Sequence, residues 1–426
     1  MLQVRNALIA VAIFLSAIPA FSELPDFFNP VKYEELFREA EKQDKMIMMY
    51  FHHDGCGACV IMEKTAFKYQ PILDSLKSSF IVYEVNFTDS LGAYIKNIYE
   101  KLYNLYWAPT FLFMNHRGEL IHKIVGIHSN EEFLEHLAKA KRNSQSYSFY
   151  NNQYQSGNRN PDFLYDYCFI LNEAGEADSL RINEYLSTQK YEDLYKEKNL
   201  KFLYYFAYFN HKLYIPFESG AFRFYYENPE KFYHLHSKAQ IEARIAFMLE
   251  RVSENAIKAN DKETFNKAIR MFEPYERKQP YFYADPGQEN GFSGMLFPDN
   301  YILKRKIDFF MENEDYANYL DNIDEYVLLF KNDATELNDI AYEQQEKFPF
   351  KHSLIRAKAL IEQALKIEEN PYFIDTYAAI LFKLGDNEKA LELAEKAFKD
   401  AGEDDEELIA VLQKRIKTIK TAMNNR

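Results

Sequence analysis

The stretch "HHDGCGACVIMEKTAF", residues 52–67, holds two of the chain's three cysteines, Cys56 and Cys59, just past the apolar run "MIMMYF" (46–51). Such a pair is a redox centre, half of a metal clip, or an accident in a chain that hardly uses cysteine. A stabilising disulfide scaffold would use a larger, even set spread along the chain. One tight pair and one distant thiol, Cys168, read as a site instead. For a metal, His52, His53, Cys56 and Cys59 offer suitable ligand types. Two facts oppose it: successive strand residues point to opposite faces, and no second Cys or His pair follows downstream. Each of the two histidines therefore reads as a polar strand-end residue, and no metal or other cofactor is expected.

Working outward, "VKYEELFREAEKQDK" places Leu36, Phe37 and Ala40 at helical spacing before that apolar strand. A turn, the cysteine pair and a helical pattern through Phe67 come next. "SSFIVYEVNF" (78–87) is a second strand, rich in β-branched and aromatic residues. A helix with Ile95, Ile98, Tyr99 and Leu102 precedes "PTFLFMNHRGELIHKIVG" (109–126), two strands joined at Arg117-Gly118. "SNEEFLEHLAKAK" closes with a helix capped by Ser129. The order is helix, strand, helix, strand, helix, hairpin, helix.

This order resembles the thioredoxin fold, and the motifs fall where that family carries them. Cys56-Gly57-Ala58-Cys59 lies between a central strand and a helix, Pro109 in "YWAPTFLF" matches the family's cis-proline, and Gly126 matches the glycine after the last strand. The nearest variety is the soluble C-terminal domain of the membrane thiol–disulfide interchange reductases, whose cysteine pair is likewise followed by a Glu and an aromatic residue, here Glu63 and Phe67. The resemblance covers about 110 residues. It implies an α/β thioredoxin fold over residues 23–143 and a thiol–disulfide oxidoreductase acting on protein or peptide disulfides, supplied by an electron-donor thiol protein.

The chemistry follows from the same residues. At a helix start, unpaired backbone N–H groups and the helix dipole favour a thiolate. The thiolate is the attacking species in disulfide exchange, so Cys56 is the expected nucleophile and Cys59, one turn further in, the resolving thiol. A cis bond before Pro109 exposes the backbone of Ala108, whose N–H and C=O then offer a substrate strand two partners. Glu63 stands four residues after Cys59, on the same helical face. It is either a proton acceptor for Cys59 or an ordinary charge on a solvated face.

Three features depart from the family pattern. The buried acid six residues before the first cysteine is Tyr50 here, which leaves proton transfer to Glu63 or to water. Gly55 stands where Trp is common, which loosens local packing. The Gly-Ala dipeptide between the cysteines carries no group that strongly stabilises the thiolate, so reduction or isomerisation is favoured over oxidation.

The whole chain of 426 residues exceeds one ordinary core. With 47% hydrophobic and 27% charged residues its balance is globular. A formal charge of −14 leaves no basic patch for nucleic acid and disfavours anionic lipid. The N-terminus, "MLQVRNALIAVAIFLSAIPAFSELPDF", has one Arg before an apolar run from Ala7 to Ala20. That run is too short for a bilayer core of about 30 Å and reads as a signal peptide, residues 1–22, cut before Glu23 with Ala20 and Ser22 as its small residues. The protein is then exported, periplasmic or extracellular, with no membrane span left after cleavage.

Residues 144–161, "SQSYSFYNNQYQSGNRNP", read as a linker, and 162–426 as an all-α region of helical repeats. In "NPYFIDTYAAILFKLGDNEKALELAEKAFKD" (370–400), Tyr377, Ala378, Leu381, Gly385, Ala390, Ala394 and Ala397 fall where a tetratricopeptide helix pair needs small or apolar side chains. Ala357 and Ala364 precede Ala390 and Ala397 by 33 residues. A third copy at 160–186 matches Pro161, Tyr167, Leu171, Gly175 and Leu180 to Pro371, Tyr377, Leu381, Gly385 and Ala390, and Cys168, in the place of Ala378, becomes a buried structural thiol. The loop 272–301 reads as a surface connection. Stacked helix pairs usually hold a peptide or protein. The competing reading is a repeat-type scaffold whose thioredoxin-like domain turns over little.

Overall fold

The computed structural model describes residues 24–209, 212–275, 281–284, 292–295, 300–402 and 405–424. The expected signal segment 1–22 and most of the 272–301 loop lie outside the described residues. By its internal contacts the chain divides into two compact units, one running to Phe206 and including Tyr214–Phe224, the other comprising Ala207–Leu213 and Tyr225–Arg426.

The first unit opens with α1 (Leu36–Gln43), β1 (Met46–His52), α2 (Gly57–Lys64), α3 (Gln70–Ser79), β2 (Phe80–Asn86), α4 (Ser90–Tyr103), β3 (Thr110–Met114), β4 (Leu120–Val125) and α5 (Asn130–Arg142). The strands form one sheet in the order β2-β1-β3-β4, with β1 parallel to β2 and antiparallel to β3. Alternate side chains of a strand leave on opposite faces, and here both faces are buried. Met48 and Tyr50 of β1, Phe111 and Phe113 of β3, and Phe80 and Val82 of β2 pack with Met62 of α2, Leu76 of α3 and Phe133 of α5. Ile47, Met49 and Phe51 pack with Leu112, Val85, Ala40 of α1 and Ile95 of α4 on the other face. Helices on both faces of the sheet make a three-layer α/β domain. Close approach requires Gly92 in the first turn of α4, since a Cβ there would lie 1.9 Å from the Asn86 carbonyl oxygen.

The helical pattern read through Phe67 breaks earlier. Helix α2 ends at Lys64, residues Ala66–Lys68 form a single 3-10 turn, and α3 starts anew at Gln70. Pro71 falls in the first turn of α3, where its missing N–H costs no helical bond, so it suits the start of a new helix there. The kink turns Phe67 inward against Phe28, Tyr50, Phe111 and Phe133.

The edge strand β4 is covered. Residues 144–161, read from sequence as a linker, contain α6 (Tyr147–Gln155), which packs along β4. His122 of β4 is fully buried, and burial pushes it down to about 3, so its ring is neutral. Its Nδ1 accepts the Tyr147 N–H at 3.1 Å, which puts the proton on Nε2 for donation to His136 Nδ1 at 3.1 Å. Then follow α7 (Pro161–Glu173), α8 (Ser179–Ser187) and α9 (Glu197–Phe206). Tyr167 and Leu171 are buried as expected, but Leu180 is 59% exposed. Helix α8 begins only at Ser179, so Ile182 takes the buried place instead. Cys168 is free, buried, and pushed up by desolvation.

The second unit is predominantly helical rather than wholly so. Two short antiparallel ribbons, β5 (Tyr208–Phe209) with β6 (Lys212–Leu213) and β7 (Tyr281–Ala284) with β8 (Phe292–Met295), accompany its helices. The helices are α10 (Gly220–Glu227), which begins in the first unit, α11 (Lys238–Ala259), α12 (Lys262–Phe272), α13 (Tyr301–Glu312), α14 (Tyr316–Leu329), α15 (Ala334–Lys347), α16 (Lys351–Ile367), α17 (Pro371–Leu384), α18 (Asn387–Asp400) and α19 (Glu406–Asn424). Consecutive helices from α15 to α19 pack on one another, with Ala357, Ala364, Ala390, Ala394 and Ala397 fully buried. Small side chains at these positions let helix axes approach closely, as stacked helical repeats require. No described helix is long and apolar enough to cross a membrane.

Candidate active site

Helix α2 starts at the cysteine pair. Cys56 is its N-cap residue, with an extended backbone, and its Sγ accepts the Cys59 N–H at 3.1 Å. Cys56 and Cys59 are joined by a disulfide, with 7% and 1% exposure respectively. The sulfur nearer solvent thus sits among the unpaired N–H groups of a helix start, where a negative charge is favoured. The turn ahead of it is tied down: the Asp54 N–H donates to Thr88 Oγ1 at 3.0 Å, and Asn86 Nδ2 donates to Asp54 Oδ1 at 2.9 Å. Gly55 has φ +78°, a left-handed backbone that a Trp would occupy only under strain. A turn requirement therefore explains the missing aromatic residue.

Ala108–Pro109 is a cis peptide bond. Pro109 is buried and Ala108 half-buried against the cluster that contains both cysteines. Just before it, Tyr106 and Trp107 are exposed. They line an open pocket of about 260 Å³ together with His53, Phe87 and Ala108.

Glu63 is 7% exposed, which excludes the solvated-face alternative. It accepts a 3.0 Å hydrogen bond from the Tyr50 hydroxyl. Desolvation pushes its carboxyl above the usual range, partly offset by that hydrogen bond and by His52. Burial also pushes the Tyr50 hydroxyl far up, so it serves only as a donor. A tyrosine on β1 and a glutamate from α2 together fill the space under the helix.

Sequence reasoning placed both histidines at the polar strand end, and His52 departs from that. It is 8% exposed, stacked on Tyr50 at 4.8 Å between ring centroids, and its Nε2–H donates to Glu84 Oε1 at 2.7 Å. The signal was present: residues 50 and 52 of one strand share a face, and Glu84 stands across from Tyr50 on β2. His53 lies on the other side against Phe87. Among the described residues, no group of three or more His, Cys, Asp or Glu side chains is arranged to hold a metal ion.

Residues 33–141 match the family described as a thioredoxin-like domain. Over 113 residues the chain is 29% identical to the thiol:disulfide interchange protein DsbD of Vibrio cholerae, a match taking in 26% of this chain and 18% of that protein. The chain thus spans less than a fifth of that relative's length. A thioredoxin from Thermus thermophilus, solved in solution, aligns at 24% identity over 25% of this chain and 82% of its own, with a TM-score of 0.23. Residues 33–141 form a thioredoxin-like domain. The bonded pair Cys56–Cys59 lies within it.

Proposed function

We propose that the chain is an exported thiol–disulfide oxidoreductase that reduces or isomerises protein disulfides through its CGAC centre. The observation that carries the reading is Cys56 Sγ at the N-cap of α2, bonded to the more deeply buried Cys59. In the reduced protein the Cys56 thiolate attacks a substrate sulfur, forming a mixed disulfide and releasing the first substrate thiolate. Cys59 then gives up its proton, attacks Cys56 Sγ, and releases the second substrate thiolate. The Cys56–Cys59 disulfide that results is reduced again by an electron-donor thiol protein.

Glu63 receives the Cys59 proton in this scheme. Its burial and raised affinity for protons suit a proton acceptor better than an ordinary surface carboxylate would. Ala108 and Pro109 hold the substrate segment, and the exposed Tyr106 and Trp107 beside them favour a protein or peptide over a small disulfide. The helices after the thioredoxin-like domain act as tetratricopeptide-like repeats that recruit or orient that protein. The apolar run from Ala7 to Ala20 and the small residues Ala20 and Ser22 support export to the periplasm or the extracellular space.

Replacing Cys59 with Ala stalls the reaction at the mixed disulfide. Partners then appear as adducts on Cys56 in non-reducing electrophoresis and vanish in Cys56→Ala/Cys59→Ala. If nothing is trapped and the wild-type protein leaves insulin disulfides intact, the scaffold reading replaces this one. N-terminal sequencing of the exported protein should begin at Glu23.

A further inference from the structure

Beneath α2 lies a polar network that the cysteines alone do not require. Its inner half is Glu63 with the Tyr50 hydroxyl. Its outer half is His52 with Glu84, whose side chains are 10% and 23% exposed. The two halves meet where the Tyr50 and His52 rings stack nearly parallel, 8° apart. Glu84 is fixed in turn by Asn29: its backbone N–H donates to Asn29 Oδ1 at 2.6 Å, and Asn29 Nδ2 donates to Glu84 Oε2 at 3.1 Å. The remaining walls around Tyr50 are the apolar rings of Phe67 and Phe111. Charges bearing on Glu63 come from His52 on β1, Glu84 on β2 and Lys64 on α2 itself.

This geometry gives His52 a specific task. When His52 is protonated, its charge, held by Glu84 on one side of Tyr50, favours the carboxylate of Glu63 on the other, in a space that little water screens. The Glu84 charge opposes ionisation of Glu63 unless His52 balances it. We infer that His52, braced by Glu84, is the positioning residue that favours the Glu63 carboxylate, so that Glu63 can take the proton of Cys59 in the resolving step. The inference rests on the reading of Glu63 as the proton acceptor.

The test uses the full-length protein, reduced and then mixed with the disulfide reagent DTNB. Attack by Cys56 releases one coloured thiolate, and closure by Cys59 releases the second, so the second phase reports the resolving step across pH. Glu63→Gln should remove the limb that Glu63 contributes to this profile. His52→Gln keeps a donor to Glu84 but loses the cation, and should move the limb about one pH unit higher. His52→Lys restores the cation and should bring it back.

An unmoved limb in His52→Gln overturns the inference. A limb that survives in Glu63→Gln overturns the proton-acceptor reading beneath it. Should His52→Gln fail to fold, His52→Lys decides: a limb near the wild-type position supports the inference, and one displaced upward as a neutral residue would displace it overturns it.

Discussion

Glu176 lies in the turn between α7 and α8, outside the thioredoxin-like domain, yet it neutralises a charge buried within that domain. Lys123 of β4 is 1% exposed, and its Nζ donates to Glu176 Oε1 at 2.7 Å. Glu176 also accepts from the Tyr147 hydroxyl at 2.6 Å and from Asn104 Nδ2 at 3.3 Å. Glu176→Gln would leave the Lys123 ammonium without its counter-charge; apart from Glu176, its hydrogen-bond acceptor is the Asn104 carbonyl at 3.4 Å. Breaking a buried pair from one side costs about 3–5 kcal/mol. For a unit of this size that is a fall in midpoint of about 6–20 °C.

Lys123→Met removes the charge together with its need for a partner. Glu176 keeps its two other donors and a side chain 16% exposed, so this variant should lose only about 1 kcal/mol. The double variant should lie close to the Lys123→Met value. Thermal unfolding read by tryptophan fluorescence isolates this unit, because Trp107 is the chain's single tryptophan and stands beside Gly175.

The pH dependence has a definite sign. Burial lowers the Lys123 pKa, and Glu176 raises it back. Without Glu176 the ammonium is disfavoured in the fold, so the deficit of Glu176→Gln shrinks as pH rises through the lowered value. A loss below about 1 kcal/mol, or an equal loss in Lys123→Met, would refute the reasoning.

Gly175 has φ +71°, and a Cβ there would lie 2.9 Å from Val125 Cγ2, so Gly175→Val should cost about 2–4 kcal/mol in the same melt. Glu63 holds its proton more tightly folded than unfolded, so wild-type stability should fall as pH rises from the unfolded carboxylate range through the raised value. Glu63→Gln should flatten that dependence, which a series of melts from the unfolded carboxylate range upward would reveal. Ala394 is fully buried in α18, and Ala394→Leu should destabilise the second unit by about 1–3 kcal/mol while leaving the Trp107 transition in place. In Cys168→Ala, disulfide-exchange rates should stay at wild-type values, because that thiol is buried and protonated.

Much of the thioredoxin-like domain was legible because its signals are local. Apolar runs, the Ser129 cap and the order of elements depend on neighbours within a few residues. The covering of β4 by α6 was not legible, since a segment poor in aliphatic residues is held there by long-range contacts. His122, Lys123 and Tyr147 carry no local mark of their shared burial.

The sequence alone determined that Cys56 and Cys59 form a pair at a strand-to-helix turn, because their separation and surroundings are written within sixteen residues. It also placed Glu63 one helical turn beyond Cys59. Only the tertiary structure decided what ionises there. Whether a carboxyl or an imidazole carries charge depends on desolvation and on partners across strands, and Tyr50, His52 and Glu84 meet through pairing between residues 32 or more apart in the chain.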